Sequence, residues 1–197
     1  AQFAGWLQYG AGLDRGDRVA IQMPNLIQYL AVCLGALRAG MVVVNTNPLY
    51  TERELEHQLT DAGVRVMVVQ ANVAQTAAAV LPRTGVETVV VTEIADLHPQ
   101  PKRALINFLV KYVKRMVPAF SIPGALTLNA VLKAGAKTPY RAVMLNRDDL
   151  AMLQYTGGTT GVAKGAMLTH GNLFWNSANS SYGEDFMGAT TLTCAPL

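Results

Sequence analysis

Residues 154–165 have the residue types best suited to chemistry, in the order Gln-Tyr-Thr-Gly-Gly-Thr-Thr-Gly-Val-Ala-Lys-Gly. Three glycines within five positions allow the backbone to turn with its N–H groups directed inward and no Cβ atoms in the way. The threonines add hydroxyl donors, and Lys164 adds a positive charge on a flexible side chain. Such groups suit a polyphosphate, whose anionic oxygens accept charge-assisted hydrogen bonds worth about 1.5–3 kcal/mol each. The composition predicts a phosphate-binding loop, and an ordinary flexible turn is the alternative.

Other groups that could do chemistry are scattered along the chain. The G-x-x-x-x-G-K-[ST] and G-x-G-x-x-G nucleotide-binding patterns are both absent. Cys33 and Cys194 lie in apolar runs, lack metal-ligand spacing and are predicted to be reduced core residues. His57 and His98 are isolated, and His170 is expected near a helix start rather than as a catalytic base. The sequence therefore predicts no metal site of its own.

The composition excludes several classes of protein. The 197-residue chain is 51% hydrophobic and only 15% charged, the opposite of a disordered chain. Its longest apolar run, 26–39, is shorter than the roughly 18 residues that span a bilayer. The chain begins within a helical pattern and stops after a strand-like run, so we expect it to be a fragment of a longer protein.

Alternating strand and helix patterns predict an α/β fold with a largely parallel sheet flanked by helices. Residues 1–95 form a βα repeat region, 96–147 a basic, proline-rich insertion, and 148–197 the phosphate-loop region. Asn25 is a predicted helix cap, and Thr51 with Glu54 has the spacing of a capping box. Strands are predicted at 18–23, 41–44, 64–69, 86–91, 150–155, 166–168 and 190–195, and helices at 26–39, 52–63, 73–81, 102–117 and from 169.

The positive charge is concentrated in one segment. Between residues 97 and 147 there are nine basic residues and no acidic one, whereas the whole chain has 16 basic and 13 acidic residues. Within this segment, 102–117 is predicted to be an amphipathic helix that lies on an anionic membrane or packs its apolar face on the sheet. Nucleic acid is not an expected partner, because no aromatic stacking platform is predicted among the cations. The cations are Lys102, Arg103, Lys111, Lys114, Arg115, Lys133, Lys137, Arg141 and Arg147.

The residue order at 155–165 closely resembles the phosphate-loop signature of the adenylate-forming enzymes, which include acyl-CoA synthetases, luciferases and peptide-synthetase adenylation domains. The Leu-Thr-His-Gly-Asn continuation at 168–172 is similar as well, although Gly171 replaces a commonly basic residue. Gly158, Ala163 and the basic insertion resemble the bacterial long-chain fatty acid–CoA ligase branch. Further segments that resemble the N-terminal part of these enzymes, in order, are 16–20, 23–25, 34–40 and 47–51.

The resemblance implies that residues 1–197 are part of the large N-terminal, ATP- and acyl-binding domain, with the C-terminal domain absent. The complete enzyme would use Mg²⁺ and ATP to convert a fatty acid to an acyl-adenylate, and would then form the coenzyme A thioester. The fragment alone is expected to be inactive, because the adenine pocket and magnesium ligand lie downstream in such enzymes. Lys164 and Thr159 are the implied catalytic residues, and the implied phosphate-binding residues are Thr156, Gly157, Gly158, Thr159, Thr160, Gly161 and Lys164.

The resemblance also leaves alternatives open. The acid substrate could be aryl, short-chain or a signalling-related fatty acid, and the same fold could serve as a non-catalytic module for membrane or subunit contact. The expected location is the cytoplasm, with peripheral attachment to the inner face of the cell membrane. Pairing of two copies through their N-terminal domains is a further expectation that the resemblance supplies.

Overall fold

The structure, a computed structural model, describes residues 1–156 and 163–181. Seven strands form one sheet in the order β5-β4-β3-β1-β2-β6-β7. Every neighbouring pair is parallel except β6 and β7, which are antiparallel. The α/β fold with a largely parallel sheet is thus confirmed. The strands are β1 (Arg18–Gln22), β2 (Val42–Thr46), β3 (Val64–Gln70), β4 (Thr88–Thr92), β5 (Leu126–Thr127), β6 (Leu150–Thr156) and β7 (Lys164–Thr169).

Helices cover both faces of the sheet. Because successive strand residues point to opposite faces, Val19 and Val43 belong to a first apolar cluster on one face, and Ala20 and Val44 belong to a second apolar cluster on the other. None of the helices among the described residues is both long enough and apolar enough to cross a bilayer. The helices are α1 (Gln2–Gly5), α2 (Ile27–Arg38), α3 (Glu52–Asp61), α4 (Ala74–Val80), α5 (Lys102–Phe108), α6 (Leu128–Gly135) and α7 (His170–Ser181).

Local sequence signals predicted some helix ends correctly and others incorrectly. The predicted capping box is present at α3, where Thr51 Oγ1 accepts from the backbone N–H of Glu54 and the Thr51 N–H donates to the Glu54 carboxylate. Gly40, with φ +83°, follows the end of α2 as predicted. The prediction that Asn25 caps α2 is wrong, because the N-cap is Leu26 and no side chain bonds to the first turn.

The basic insertion differs from its prediction. The helix predicted at 102–117 is shorter: α5 continues as a π-helical turn, Leu109–Val113, and Arg115 then adopts a positive φ of +51°. Part of the apolar face of this segment is exposed to solvent instead of packing on the sheet, since Phe108 and Tyr112 are both exposed. Their ring centroids are 5.2 Å apart, so aromatic groups do stand among the cations, contrary to expectation. Strand β5 and helix α6 were not predicted.

Helix α6 packs unusually close to the N-terminal helix α1. A Cβ added at Gly135 would lie 1.9 Å from the carbonyl oxygen of Gln2, and one added at Gly5 would lie 2.2 Å from that of Thr138. Two glycines in facing helices therefore permit an approach that no larger residue allows. The contact anchors the insertion to the first cluster, in which Phe3 and Leu128 are both buried. The strand predicted at 190–195 lies outside the described residues.

Candidate functional site

The predicted phosphate loop joins the two antiparallel strands of the sheet. Thr156 is the register partner of Lys164, and Tyr155 is the register partner of Gly165. Since opposite residues of an antiparallel pair project from the same face, the two predicted phosphate-binding side chains at the ends of the loop are brought together. Both are exposed and can reach a ligand in solvent. The remaining predicted site residues, Gly157, Gly158, Thr159, Thr160 and Gly161, lie outside the described residues.

The loop begins at the carboxyl edge of the parallel strands, the edge at which open α/β sheets bind their ligands. Strand β6 is parallel to β2, with Asn45 in register with Gln154. Their side chains are hydrogen bonded, with Asn45 Nδ2 donating to Gln154 Oε1 at 2.9 Å. The hydroxyl of Tyr29 in α2 donates to Asn45 Oδ1 at 2.8 Å. A polar network therefore crosses the sheet next to the predicted loop.

This network was not identified from the sequence. The signal was present, since amide side chains stand at the carboxyl ends of otherwise apolar strands, as Gln22, Asn45 and Gln154 do. An amide at the end of an apolar run is often only the first residue of a turn. The pattern therefore indicates a polar network only when the strand order shows that the amides are neighbours. Gln22 is fully buried, and its Nε2 donates to the carbonyl oxygen of Asn47 at 3.3 Å.

Helix α3 contacts both ends of the loop. The hydroxyl of Tyr155 donates to Asp61 Oδ2 at 2.5 Å, and the Tyr155 side chain is 7% exposed. His57, one helical turn before Asp61, has its Nε2 3.3 Å from the carbonyl oxygen of Ala163. Burial, and then the hydrogen bond to the Asp61 carboxylate, raise the pKa of Tyr155 well above its usual value. Tyr155 therefore remains a neutral donor at physiological pH.

His170 begins α7, as predicted for a residue near a helix start. Its backbone N–H donates to the carbonyl oxygen of Asp149 at 2.9 Å. Asn172 stabilises the same turn, because its Oδ1 accepts from the Thr169 N–H at 2.9 Å while its own N–H donates to Thr169 Oγ1 at 3.2 Å. The Leu-Thr-His-Gly-Asn segment thus forms a capped strand-to-helix transition from the end of β7 into α7.

Tyr29, a partly buried member of this network, lies beside the buried thiol of Cys33. Burial raises the pKa of Tyr29 to about 12 and also raises the pKa of the neighbouring Cys33 thiol. Cys33 is a free, buried thiol in the first apolar cluster, as predicted from its apolar surroundings. Cys194 lies outside the described residues. Tyr29 and Cys33 are therefore both protonated at neutral pH.

Metal-ligating side chains are dispersed in the part of the chain that the structure describes. Within 1–156 and 163–181, no three His, Cys, Asp or Glu side chains come together as a metal would require. Mg²⁺ in phosphate-transferring enzymes is usually held by one or two carboxylates together with the substrate's phosphates.

Comparison with known proteins gives a consistent result. The family described as AMP-binding enzyme matches residues 1–197. A long-chain-fatty-acid–CoA ligase of Escherichia coli O157:H7 is 51% identical over 183 residues, which cover 92% of this chain and 33% of that protein. The corresponding ligase of Haemophilus influenzae is 51% identical over 187 residues, which cover 94% of this chain and 33% of that protein. The chain thus spans about a third of the length of these relatives.

Solved structures agree with the sequence comparisons. A crystal structure of a long-chain-fatty-acid–CoA ligase from Archaeoglobus fulgidus matches with a TM-score of 0.69 and 29% identity, covering 91% of this chain and 30% of that one. A crystal structure of ATP-bound MatB from Rhodopseudomonas palustris matches with a TM-score of 0.63 and 29% identity, covering 90% and 29%.

Proposed function

We propose, because this chain belongs to the AMP-binding enzyme family, that it is part of the ATP- and acyl-binding N-terminal domain of a long-chain fatty acid–CoA ligase. The observation that carries the proposal is the β6–β7 hairpin, which places Thr156 and Lys164 on either side of a Gly- and Thr-rich loop at the carboxyl edge of the sheet. Identity of 51% to ligases of this name supports the choice of substrate class. On this proposal the C-terminal domain lies outside the 197 residues.

The proposed reaction of the complete enzyme has two steps. A fatty-acid carboxylate oxygen attacks the α-phosphorus of ATP, which forms an acyl-adenylate and releases pyrophosphate. The thiolate of coenzyme A then attacks the acyl carbonyl carbon, which forms the thioester and releases AMP. Phosphoryl chemistry of this kind depends on positioning and on neutralisation of charge rather than on a covalent intermediate with the protein.

The residues of this chain would act on the leaving pyrophosphate. Lys164 would place its ammonium group against the β- and γ-phosphates, and Thr159 would donate its hydroxyl to the same oxygens. Backbone N–H groups of the loop would complete the cradle, which is why glycines are suited to it. Mg²⁺ would accompany ATP in the complete enzyme. The proposed phosphate-binding set is Thr156, Gly157, Gly158, Thr159, Thr160, Gly161 and Lys164.

The substrate proposal is tested by measuring acyl-CoA formation by the complete enzyme with acids of graded chain length. Saturated acids from acetate to stearate and an aryl acid such as benzoate would be compared at equal concentration. We expect the highest kcat/KM with long-chain acids. A preference for acetate or benzoate would replace the long-chain assignment by another acid, and absence of AMP release with every acid would overturn the enzymatic proposal.

We also propose that α5 and the turn after it contact an anionic membrane. Their apolar side chains are solvent-exposed, including Leu105 at 59%, Tyr112 at 61% and Val113 at 62%. The cations nearby would meet the lipid headgroups while these side chains enter the interface, as in other amphipathic membrane-surface helices. This arrangement would suit an enzyme whose substrates partition into lipid.

Liposome flotation tests the membrane proposal. The complete enzyme would be compared with a variant carrying Lys111→Glu, Lys114→Glu and Arg115→Glu, on vesicles with and without anionic lipid. A matched control carries Lys133→Glu and Lys137→Glu, which change exposed cations elsewhere in the insertion. We expect the triple variant to lose anionic-vesicle binding and the control to retain most of it. Equal flotation of all three proteins would end the proposal.

The family resemblance also suggests where the complete enzyme is located and how it assembles. We propose a cytoplasmic protein attached peripherally to the inner face of the membrane, where ATP and coenzyme A are available. The free, buried Cys33 is in keeping with a reducing compartment. Pairing of two copies through the N-terminal domain is proposed on resemblance alone, and sedimentation of the complete enzyme would test it.

A further inference from the structure

The tip of the β6–β7 hairpin extends beyond the rest of the sheet. The register between β2 and β6 ends at Asn45 and Gln154, so Tyr155 and Thr156 have no partner on β2. Among the strands that the structure describes, β7 is the last of the sheet and has no neighbour on its other side. Among the described strands, the backbones of the final residue pairs before the loop therefore bond only across the hairpin, and an isolated two-stranded hairpin is marginally stable in water. The side chain of Tyr155 adds packing, because it is buried in the second apolar cluster together with Leu55 and Leu59 of α3.

Helix α3 adds polar contacts to this support. Asp61 accepts the hydrogen bond from Tyr155 on the β6 side, at 2.5 Å, and His57 lies 3.3 Å from the carbonyl oxygen of Ala163 on the β7 side. The two helix residues are four positions apart and so lie on one face of α3. Each end of the predicted loop thus has one polar contact to the same rigid element.

The helix is itself firmly anchored. Leu55 and Leu59 are fully buried in the second apolar cluster, and Gln58 Nε2 donates to the carbonyl oxygen of Asn45 at 2.8 Å. The capping box at Thr51 fixes its first turn. Leu55, Gln58 and Leu59 thus fix α3 relative to the sheet. A contact between α3 and the hairpin tip therefore also fixes the tip relative to the sheet.

The carboxylate of Asp61 stands at an electrostatically unfavourable position in two respects. It stands in the last turn of α3, where the negative end of the helix dipole disfavours a carboxylate. It also places negative charge next to a loop for which an anionic ligand is proposed. Both effects are unfavourable, and the hydrogen bond from the buried Tyr155 hydroxyl is the interaction that offsets them.

We infer that Asp61 and His57 are positioning residues, which hold the two ends of the phosphate loop at a fixed place relative to the sheet. The inference rests on the proposed function, since it assigns the loop the task of binding the phosphates of ATP. Neither residue is required to touch the nucleotide. Asp61 acts through Tyr155, and His57 acts through the backbone at Ala163.

The test uses the complete enzyme and the variants Asp61→Ala, Asp61→Asn, Tyr155→Phe and the double variant Asp61→Ala/Tyr155→Phe. Thr60→Ala is the matched control, because Thr60 is the adjacent exposed residue of α3. Hydrogen exchange of the peptides that contain Tyr155 and Ala163 reports the positions of the loop ends without reference to catalysis. Steady-state kinetics with ATP, fatty acid and coenzyme A varied in turn report the functional consequence.

We expect Asp61→Ala and Tyr155→Phe to speed exchange at the hairpin tip and to raise the KM for ATP by about tenfold, the scale of one lost hydrogen bond to a charged group. The KM values for fatty acid and coenzyme A should stay unchanged. The double variant should be no worse than either single variant, because both remove the same bond. Asp61→Asn keeps a hydrogen-bond acceptor and should restore most of the wild-type exchange rate and KM for ATP. His57→Leu should change the exchange rate and the KM for ATP less than Asp61→Ala does.

Unchanged exchange at the hairpin tip in Asp61→Ala would overturn the inference, whatever the kinetics. Faster exchange with an unchanged KM for ATP would show that the contact is structural only, and would overturn it as well. A wild-type enzyme that activates no fatty acid would instead refute the proposed function, and the positioning role with it. In that case the exchange data would still show whether α3 supports the hairpin.

Discussion

Thr156 and Lys164 are opposite each other across the antiparallel pair β6–β7, so the two ends of the predicted phosphate loop meet at the tip of one hairpin. The six residues between Thr156 and Ala163, 157–162, lie outside the residues that the structure describes. The hairpin starts at the carboxyl edge of the parallel strands, where a ligand has access to the sheet. This pairing gives both ends of the predicted loop a defined position in the fold.

The isolated 197-residue chain is predicted not to catalyse adenylation, because it spans about a third of the length of its ligase relatives. A loop that holds phosphates contributes charge neutralisation but does not by itself orient the acid and the adenosine. The measurement is ATP–pyrophosphate exchange by the isolated chain, with the complete enzyme assayed in parallel. Exchange above background by the isolated chain would contradict the prediction.

Substitution of Gly135 is predicted to be strongly destabilising. A Cβ at this position would lie 1.9 Å from the backbone carbonyl oxygen of Gln2, so Gly135→Ala must push α6 away from α1. We expect a loss of about 1–3 kcal/mol of stability, as for other overpacked sites, even though alanine favours a helix. The control is Gly85→Ala, where an added Cβ meets no atom within 4 Å. Equal urea midpoints for the two variants of the complete enzyme would contradict the close approach.

Stability is predicted to fall at alkaline pH, partly through Tyr29. Burial raises its pKa from 10.0 to about 12, so the folded protein holds this proton more tightly than the unfolded chain does. The resulting stabilisation is complete below pH 10 and is lost as the pH rises towards 12. Tyr29→Phe removes the titration and should flatten the pH dependence of the urea midpoint above pH 10. An unchanged slope in Tyr29→Phe would show that this hydroxyl is not linked to folding.

Local sequence patterns were sufficient for the elements that they determine directly. The buried apolar runs predict β1 to β4, and the Thr51–Glu54 spacing predicts the start of α3, because both signals act within a few residues. The ends of the proline-rich insertion were harder to predict. α6 depends on its packing against α1 through Gly135, a contact between residues more than a hundred positions apart that no local pattern records.

The candidate site was predicted in part for the same reason. Glycines, threonines and Lys164 are contiguous in sequence, so the loop was recognisable before its location was known. The support from Asp61 was not recognisable, because a single carboxylate at the end of an amphipathic helix resembles any solvated surface residue. Only the fold brings it within hydrogen-bonding distance of Tyr155, 94 positions later in the chain.

Substitution of Lys164 tests most directly whether the β6–β7 hairpin binds the triphosphate of ATP. ATP–pyrophosphate exchange would be measured for the complete enzyme and for Lys164→Ala, with the exposed Lys137→Ala as the control for loss of one positive charge. We predict that Lys164→Ala lowers the exchange rate by about 100-fold, as the loss of one charge-stabilising donor does, and that Lys137→Ala leaves it unchanged. An exchange rate in Lys164→Ala equal to that of the wild type would contradict the account.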